Sequence, residues 1–195
     1  LAARYLGRTA AKLMLVLGSL FFYAYWVPEY LFLLLFSIIV NYSIGRALQQ
    51  DRSVAYRGWL GQRILLSLGI IFNLGLLGYF KYFGFVVETV DNIFGTGFNA
   101  EQILLPLAIS FFTFQQITYL VDSQSGKLKQ ARVLDYCLFV VFFPQLIAGP
   151  IVHHAEIMPQ YLRTKTYRLL ASNLAIGTTF FLIGLFKKVV IADGI

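Results

Sequence analysis

The sequence predicts an all-α polytopic membrane protein, a bundle of about six transmembrane or re-entrant helices. Composition is the first reason: 58% of the 195 residues are hydrophobic and only 13% charged, against about 25% charged in soluble domains. The second is spacing, because apolar runs of near-spanning length alternate with short basic or acidic loops. The third is aromatic weight: 19 Phe and 12 Tyr suit lipid contact and interfacial belts.

Arg4, Arg8 and Lys12 precede the first run, Leu13 to Trp26. Pro28 and Glu29 then break the pattern before Tyr30 to Ile44, which is apolar apart from Asn41. Each half is short for a span and the whole is too long for one straight helix. Pro28 fits the first turn of a helix and biases Val27 towards an extended backbone, so a tight helical hairpin is expected. Tyr23, Tyr25, Trp26 and Tyr30 around the break read as an interfacial belt.

A basic loop with Arg46, Arg52, Arg57 and Arg63 leads to a third span, Ile64 to Phe83. Gly69, Gly75 and Gly78 there would allow close helix contact, and Lys81 can snorkel. The connection from Glu88 to Glu101 is acidic and Gly-rich. A fourth span, Ile103 to Val121, has Pro106 in its first turn, and a basic loop from Asp122 to Arg132 follows it.

The fifth segment, Val133 to Val152, is apolar but broken by Pro144 and the Gly149-Pro150 pair. Proline removes a backbone donor and clashes with the preceding turn. In lipid the freed groups need partners inside the protein or in a wet cavity. The break therefore points to burial against other helices. The last span runs from Leu169 to Ile191.

Lys and Arg set orientation. The N-terminus and the loops after Ile44 and Asp122 are expected in the cytoplasm, and the Glu88–Glu101 connection outside. Beyond the fifth segment one violation is unavoidable whether it crosses or re-enters; its Pro and Gly breaks favour re-entrance. The first residue is Leu1 and the last, Ile195, has no tail after it, so the chain reads as a fragment of a longer one, a single membrane domain over 1–195 without a soluble domain.

The net charge of +7 is accounted for by loops between apolar runs, with no nucleic-acid module to use it. Cys137 lies in an apolar stretch and reads as a small packed hydrophobe.

Gln115, Tyr119 and Asp122 fall at i, i+4 and i+7 and share one helix face, with Gln116 beside it. Polar groups at membrane depth usually face a bundle interior or a cavity. They can equally be interhelical hydrogen bonds, or line a substrate path. His153 and His154 are the only histidines. An adjacent pair does not put two ligands on one helix face, and no Cys or carboxylate cluster completes a metal site. A catalytic base, a proton relay or an interfacial polar pair stay open for them. Lys187, Lys188 and Asp193 close the last span, as interfacial anchors or as a phosphate-binding end. A transporter remains open too, since broken helices and midplane polar groups also mark that class.

Six segments in order, SLFFYAYW, NYSIGRAL, LGYFKYFGF, LPLAISFFTFQQITYLVD, DYCLFVVFFPQLIAGPIV and FLIGLFKKVVIAD, resemble the N-terminal half of the membrane-bound O-acyltransferases. The similarity is to the alginate O-acetylation branch, near the D-alanyl transfer proteins of teichoic acid modification. The resemblance implies part of a larger multi-pass fold in the bacterial inner membrane. It also implies acyl transfer, usually of acetyl, to hydroxyls of a cell-envelope polysaccharide. Acetyl-coenzyme A is the implied donor, no bound cofactor is implied, and a periplasmic acetyltransferase is the implied partner. A lipid O-acyltransferase of the same superfamily is the nearest alternative. The residues that carry over are Gln115, Gln116, Asp122, Pro144, Gln145, Gly149, Pro150, Lys187, Lys188 and Asp193. The family's hallmark histidine is expected beyond Ile195, which leaves no catalytic residue within this range.

Overall fold

In the computed structural model residues 7–26, 28–50, 59–95, 104–126, 128, 132–149, 154–163, 166 and 170–194 are described. Among these every regular element is helical. Helix α1 is Gly7–Trp26 and α2 is Glu29–Gln50. Helix α3, Trp59–Leu77, continues through a π-helical segment, Gly78–Tyr82, into α4, Phe83–Phe94. Helix α5 is Ile109–Ser125. Helices α6, Val133–Val141, and α7, Phe143–Ala148, make up the broken segment. Helix α8 is His154–Leu162, and α9, Ala171–Phe186, ends in a π-helical turn, Lys187–Ala192. Three stretches, Glu29–Gln49, Leu60–Phe94 and Ala171–Ala192, are long and apolar enough to cross a membrane. The chain is an all-α membrane protein.

The hairpin break falls where expected. Pro28 sits just before α2 rather than in its first turn, and its carbonyl accepts from the Leu31 amide at 3.2 Å. Several helices overrun their apolar runs. Helix α2 continues to Gln50 because NYSIGRALQQ holds no breaker and Leu48 is fully buried. Arg46 and Arg63 are therefore helical rather than loop residues, while Arg52 and Arg57 lie outside the described residues. Helix α4 takes in Glu88 and Asp91, which had been expected in a loop. Gly95 ends it, in the left-handed region at φ 62°, with its N–H on the Asp91 carbonyl.

Helix α5 starts later than its apolar run. Pro106 lies ahead of it in a turn whose carbonyl accepts from Ile109 N at 3.2 Å. Ala108 adopts φ 57°, a left-handed conformation that only Gly takes without cost, so no helix can run through it. Two tyrosines hold this entry. Tyr23 donates to the Leu107 carbonyl at 3.2 Å, and Tyr30 donates to the Leu104 carbonyl. Tyr23 is thus a buried structural residue rather than part of a belt, whereas Tyr25 is exposed.

The core sits around α5, which packs against α2, α3, α6, α7 and α8. Phe112, Tyr119 and Leu120 on α5 are fully buried, as are Leu34 and Leu48 on α2 and Tyr136 and Leu138 on α6. Two glycines permit the close approach. A Cβ on Gly45 would collide with the Tyr119 ring, and one on Gly69 would lie 2.6 Å from Leu120 Cδ1. Gly75 and Gly78, expected in the same role, face open space. Helix α9 has no buried residue.

Gly45→Leu should therefore lower the thermal midpoint of the full-length protein in detergent, since either the Tyr119 ring or the α2–α5 contact must move. Gly75→Leu should leave it unchanged. Equal midpoints for the two variants would show that α2 and α5 do not meet at Gly45.

Candidate functional site

The predicted polar face of α5 is real and wholly inside. Gln115, Gln116, Tyr119 and Asp122 are all buried, with Thr113 and Ser123 beside them. Asp122 is a helix residue, not the start of a loop.

Gln116 lies at the centre of a network joining three helices. Its Oε1 accepts from Ser37 Oγ at 2.6 Å and from Asn41 Nδ2 at 2.6 Å, both on α2. Asn41 and Asn73 of α3 exchange side-chain amide hydrogen bonds, at 3.2 Å and 2.6 Å. Asn73 also donates to the Gly69 carbonyl at 2.7 Å. Ser37, Asn41, Asn73 and Gln116 are fully buried. Hydrogen bonds of this kind between membrane helices average about 0.6 kcal/mol each, while leaving such a group unpaired costs about 1–3 kcal/mol. The network therefore fixes how these helices meet more than it adds net stability.

Gln115 points the other way, to the broken segment. The helix fails at Phe142, whose ψ of 102° is not helical, two residues ahead of the expected Pro144. Pro144 occupies the first turn of α7, where its missing N–H costs least. The break frees the Phe139 carbonyl and the Phe143 amide, which would have bonded one another in a continuous helix. Gln115 Nε2 donates to that carbonyl at 2.8 Å, and the Phe143 N–H donates to Ser19 Oγ of α1 at 3.3 Å. Side chains from two other helices thus satisfy the groups that lipid could not. The segment ends at Gly149, extended at φ −84°, ψ 161°, with its N–H on the Gln145 carbonyl. A Cβ on Gly149 would lie 2.7 Å from that carbonyl and from Gln145 Cα, so only glycine fits. Gln145 is buried beside it.

Past the break the chain turns back to α5 and α6. His154, the first residue of α8, is 3% exposed. Its ring stands edge-on to Phe139 at 4.9 Å between centroids and lies 5.4 Å from Tyr119, which itself stacks 4.3 Å from Tyr136. Among the described residues neither ring nitrogen has a hydrogen-bond partner. Helix α8 has nine residues and lies outside the spanning stretches. Burial pushes the His154 imidazole down to about 4, against the opposing pull of the Asp122 and Asp135 carboxylates.

Sequence reasoning missed an ion pair. Lys12 of α1 meets Asp135 of α6 at 2.5 Å, with both side chains buried. The available signal was one carboxylate inside an apolar run and one lysine at the edge of another. Lys187, Lys188 and Asp193 are exposed on and after α9, away from this seam. Pro150 and His153 lie outside the described residues.

The chain is 45% identical to the peptidoglycan O-acetyltransferase of Helicobacter pylori across 93% of its length. It is 36% identical to the probable alginate O-acetylase AlgI of Pseudomonas aeruginosa across 96%. The chain is a homologue of peptidoglycan and alginate O-acetylation proteins. The teichoic acid D-alanyltransferase of Streptococcus thermophilus, 26% identical over 49% of the chain, is a more distant relative. This homologue spans only 38% and 36% of the first two relatives' lengths. No family model and no solved structure matches it.

The His154 environment sets a pH dependence. Between pH 6.5 and about 4 the unfolded chain binds a proton that the folded imidazole refuses, so folding weakens as pH falls through that window. The thermal midpoint of the full-length protein should therefore drop more steeply from pH 6.5 to 4.5 than that of His154→Phe. Identical slopes would mean that His154 is hydrated or partnered in the folded protein.

Proposed function

We propose that the chain is part of a bacterial inner-membrane, multi-pass O-acyltransferase that acetylates hydroxyl groups of an exported cell-envelope polysaccharide. The observation that carries this reading is similarity, across more than nine-tenths of the chain, to relatives named for O-acetylation of peptidoglycan and of alginate. The acceptors in those names differ, but both are glycans outside the inner membrane. What they share is a hydroxyl acceptor and the need to bring an acyl group to it. Acetyl-coenzyme A is the donor in this reading, and a periplasmic acetyltransferase completes delivery to the polymer.

The geometry supports a division of labour within such an enzyme. The α6–α7 segment covers 16 residues from Val133 to Ala148, or about 24 Å as helix, short of a hydrocarbon core of about 30 Å. His154 just beyond it lies near Asp122 and Asp135, the residues that flank the loop before the segment. Both facts favour a re-entrant element that thins the barrier from the cytoplasmic side. Gln115 and Ser19 hold it open in a fixed shape. With that element re-entrant, the bundle has about six membrane elements, within a larger fold supplied by the remainder of the enzyme.

The acyl-transfer group itself is a histidine outside residues 1–195 in this reading, acting as general base or transient acyl carrier. His154 does not take that part in this reading: it is buried, with the Phe139 and Tyr119 rings against it. Tyr119, Asp122 and the glutamines are scaffold residues in this reading.

The decisive assay is release of free coenzyme A from acetyl-coenzyme A, with acceptor and partner present, by membranes holding residues 1–195 or the full-length protein. Turnover is expected from the full-length protein alone, lost on replacing its downstream histidine and largely kept in His154→Ala. Turnover by residues 1–195, abolished by His154→Ala, would place the active site in this part of the molecule.

A further inference from the structure

Helix α4 is too far along its chain to be inside the bilayer. From Trp59 to Tyr82 the α3 helix and its π-helical turn comprise 24 residues, about 36 Å if helical throughout. A hydrocarbon core is about 30 Å thick. The interfacial residues fall where that length runs out: Tyr79 and Tyr82 are exposed, and Lys81 lies between them, 3.4 Å from Ser110 Oγ and 5.6 Å from the Tyr82 ring centre. Aromatic and lysine side chains of this kind mark the edge of the acyl chains.

Past that edge, α4 remains strongly apolar along one side. At 100° per residue, Phe83, Val86, Val87, Val90, Ile93 and Phe94 fall within an arc of about 120°. Glu88, Asp91, Asn92 and Gly84 lie opposite, and only Phe85 breaks the division. None of the twelve residues of α4 is buried. A helix standing straight up from the membrane would hold that stripe in water. At the junction, however, a π-helical turn ends at Tyr82, whose φ −113°, ψ −12° stays in the right-handed region but departs from regular α-helix by about 50° in φ. Turns of this kind are where long helices bend. The apolar stripe also continues the exposed surface of α3, through Ile64, Leu68, Ile71 and Leu74. In a membrane protein that surface faces lipid.

We propose that α4 is a membrane-surface anchor. It lies along the bilayer interface at the end of the bundle where α3 leaves the hydrocarbon. Its Phe83–Phe94 stripe is sunk between headgroups and acyl chains, and Glu88, Asp91 and Asn92 face water. The occupant of the stripe is lipid, which matches an amphipathic helix that begins at the interface and is continuous with a lipid-facing surface. The anchor sets the height and tilt of α3, and through Asn73 and Gly69 the height of the network on α5.

The test is electron paramagnetic resonance of nitroxides at Val90→Cys and Glu88→Cys, with Ile93→Cys and Asn92→Cys as a second pair. The full-length protein carries Cys137→Ala and no other cysteine, in vesicles of phosphatidylethanolamine and phosphatidylglycerol. All four positions are surface positions on α4, so labelling leaves the core intact. Nitroxides at Val90 and Ile93 should relax with dissolved oxygen and be shielded from a water-soluble nickel chelate, while those at Glu88 and Asn92 show the reverse order. Equal nickel access on both faces would show α4 standing in water. Shielding of Val90 and Ile93 from both reagents would show a protein surface covering the stripe. Either result overturns the proposal.

Discussion

A backbone that breaks inside a membrane must have its freed groups satisfied by side chains, and the rest of this bundle is arranged around that constraint. The α6–α7 segment stops being helical at Phe142, and among the groups that lose their helical partners are the Phe139 carbonyl and the Phe143 amide. Gln115 takes the carbonyl and Ser19 takes the amide. Gln115 can do so only if α5 is locked in rotation and height. Its neighbour Gln116 supplies the lock through Ser37, Asn41 and Asn73. The two glutamines, adjacent in sequence, therefore face different neighbours and do different work. One fixes α5 to α2 and α3, and the other carries that rigidity to the break.

Packing follows from the same arrangement. Polar side chains on α5 reach their partners only if the helices are close, and Gly45 and Gly69 create that closeness against Tyr119 and Leu120. The Lys12–Asp135 pair then ties the start of the broken segment to α1. A buried ion pair is a weak source of net stability, but removing one partner is costly. Its role here is positional: it sets the register of α1, and so the reach of Ser19 seven residues further along. Tyr23 and Tyr30 act similarly at the other end, holding the irregular entry to α5 through its carbonyls.

Much of this was legible in the sequence. The spacing of Gln115, Tyr119 and Asp122 gave a buried face on α5, and Pro144 with Gly149 gave a break within one or two residues of where it falls. Patterns of three to seven residues carry that information. What failed depended on partners distant in the chain. Lys12 and Asp135 are 123 residues apart, and Asn41 and Asn73 are 32 apart; neither pair leaves a local signature. The sequence left several readings open for His154, which follows an apolar run, because its neighbours in space, Phe139 and Tyr119, are distant in the chain. Helix ends were misjudged for a different reason. Apolar runs mark spanning lengths, but α2 continues past its run to Gln50 and α3 leads through a π-helical turn into α4, on ordinary helical propensity. The chemistry of acyl transfer was legible only through resemblance.

The central claim is that the side-chain amides on and around α5 are internal partners rather than the lining of a wet channel. Exchange of those amide protons with deuterated water, followed by nuclear magnetic resonance on the full-length protein in lipid with labelled Asn and Gln, tests it directly. Exposed Asn92 on α4 serves as the internal reference. The side-chain protons of Asn41, Asn73 and Gln115 should persist long after those of Asn92 have gone, because each is held on an internal acceptor and closed off from solvent. Loss of the three signals at the rate of Asn92 would contradict the account and make the seam an aqueous path.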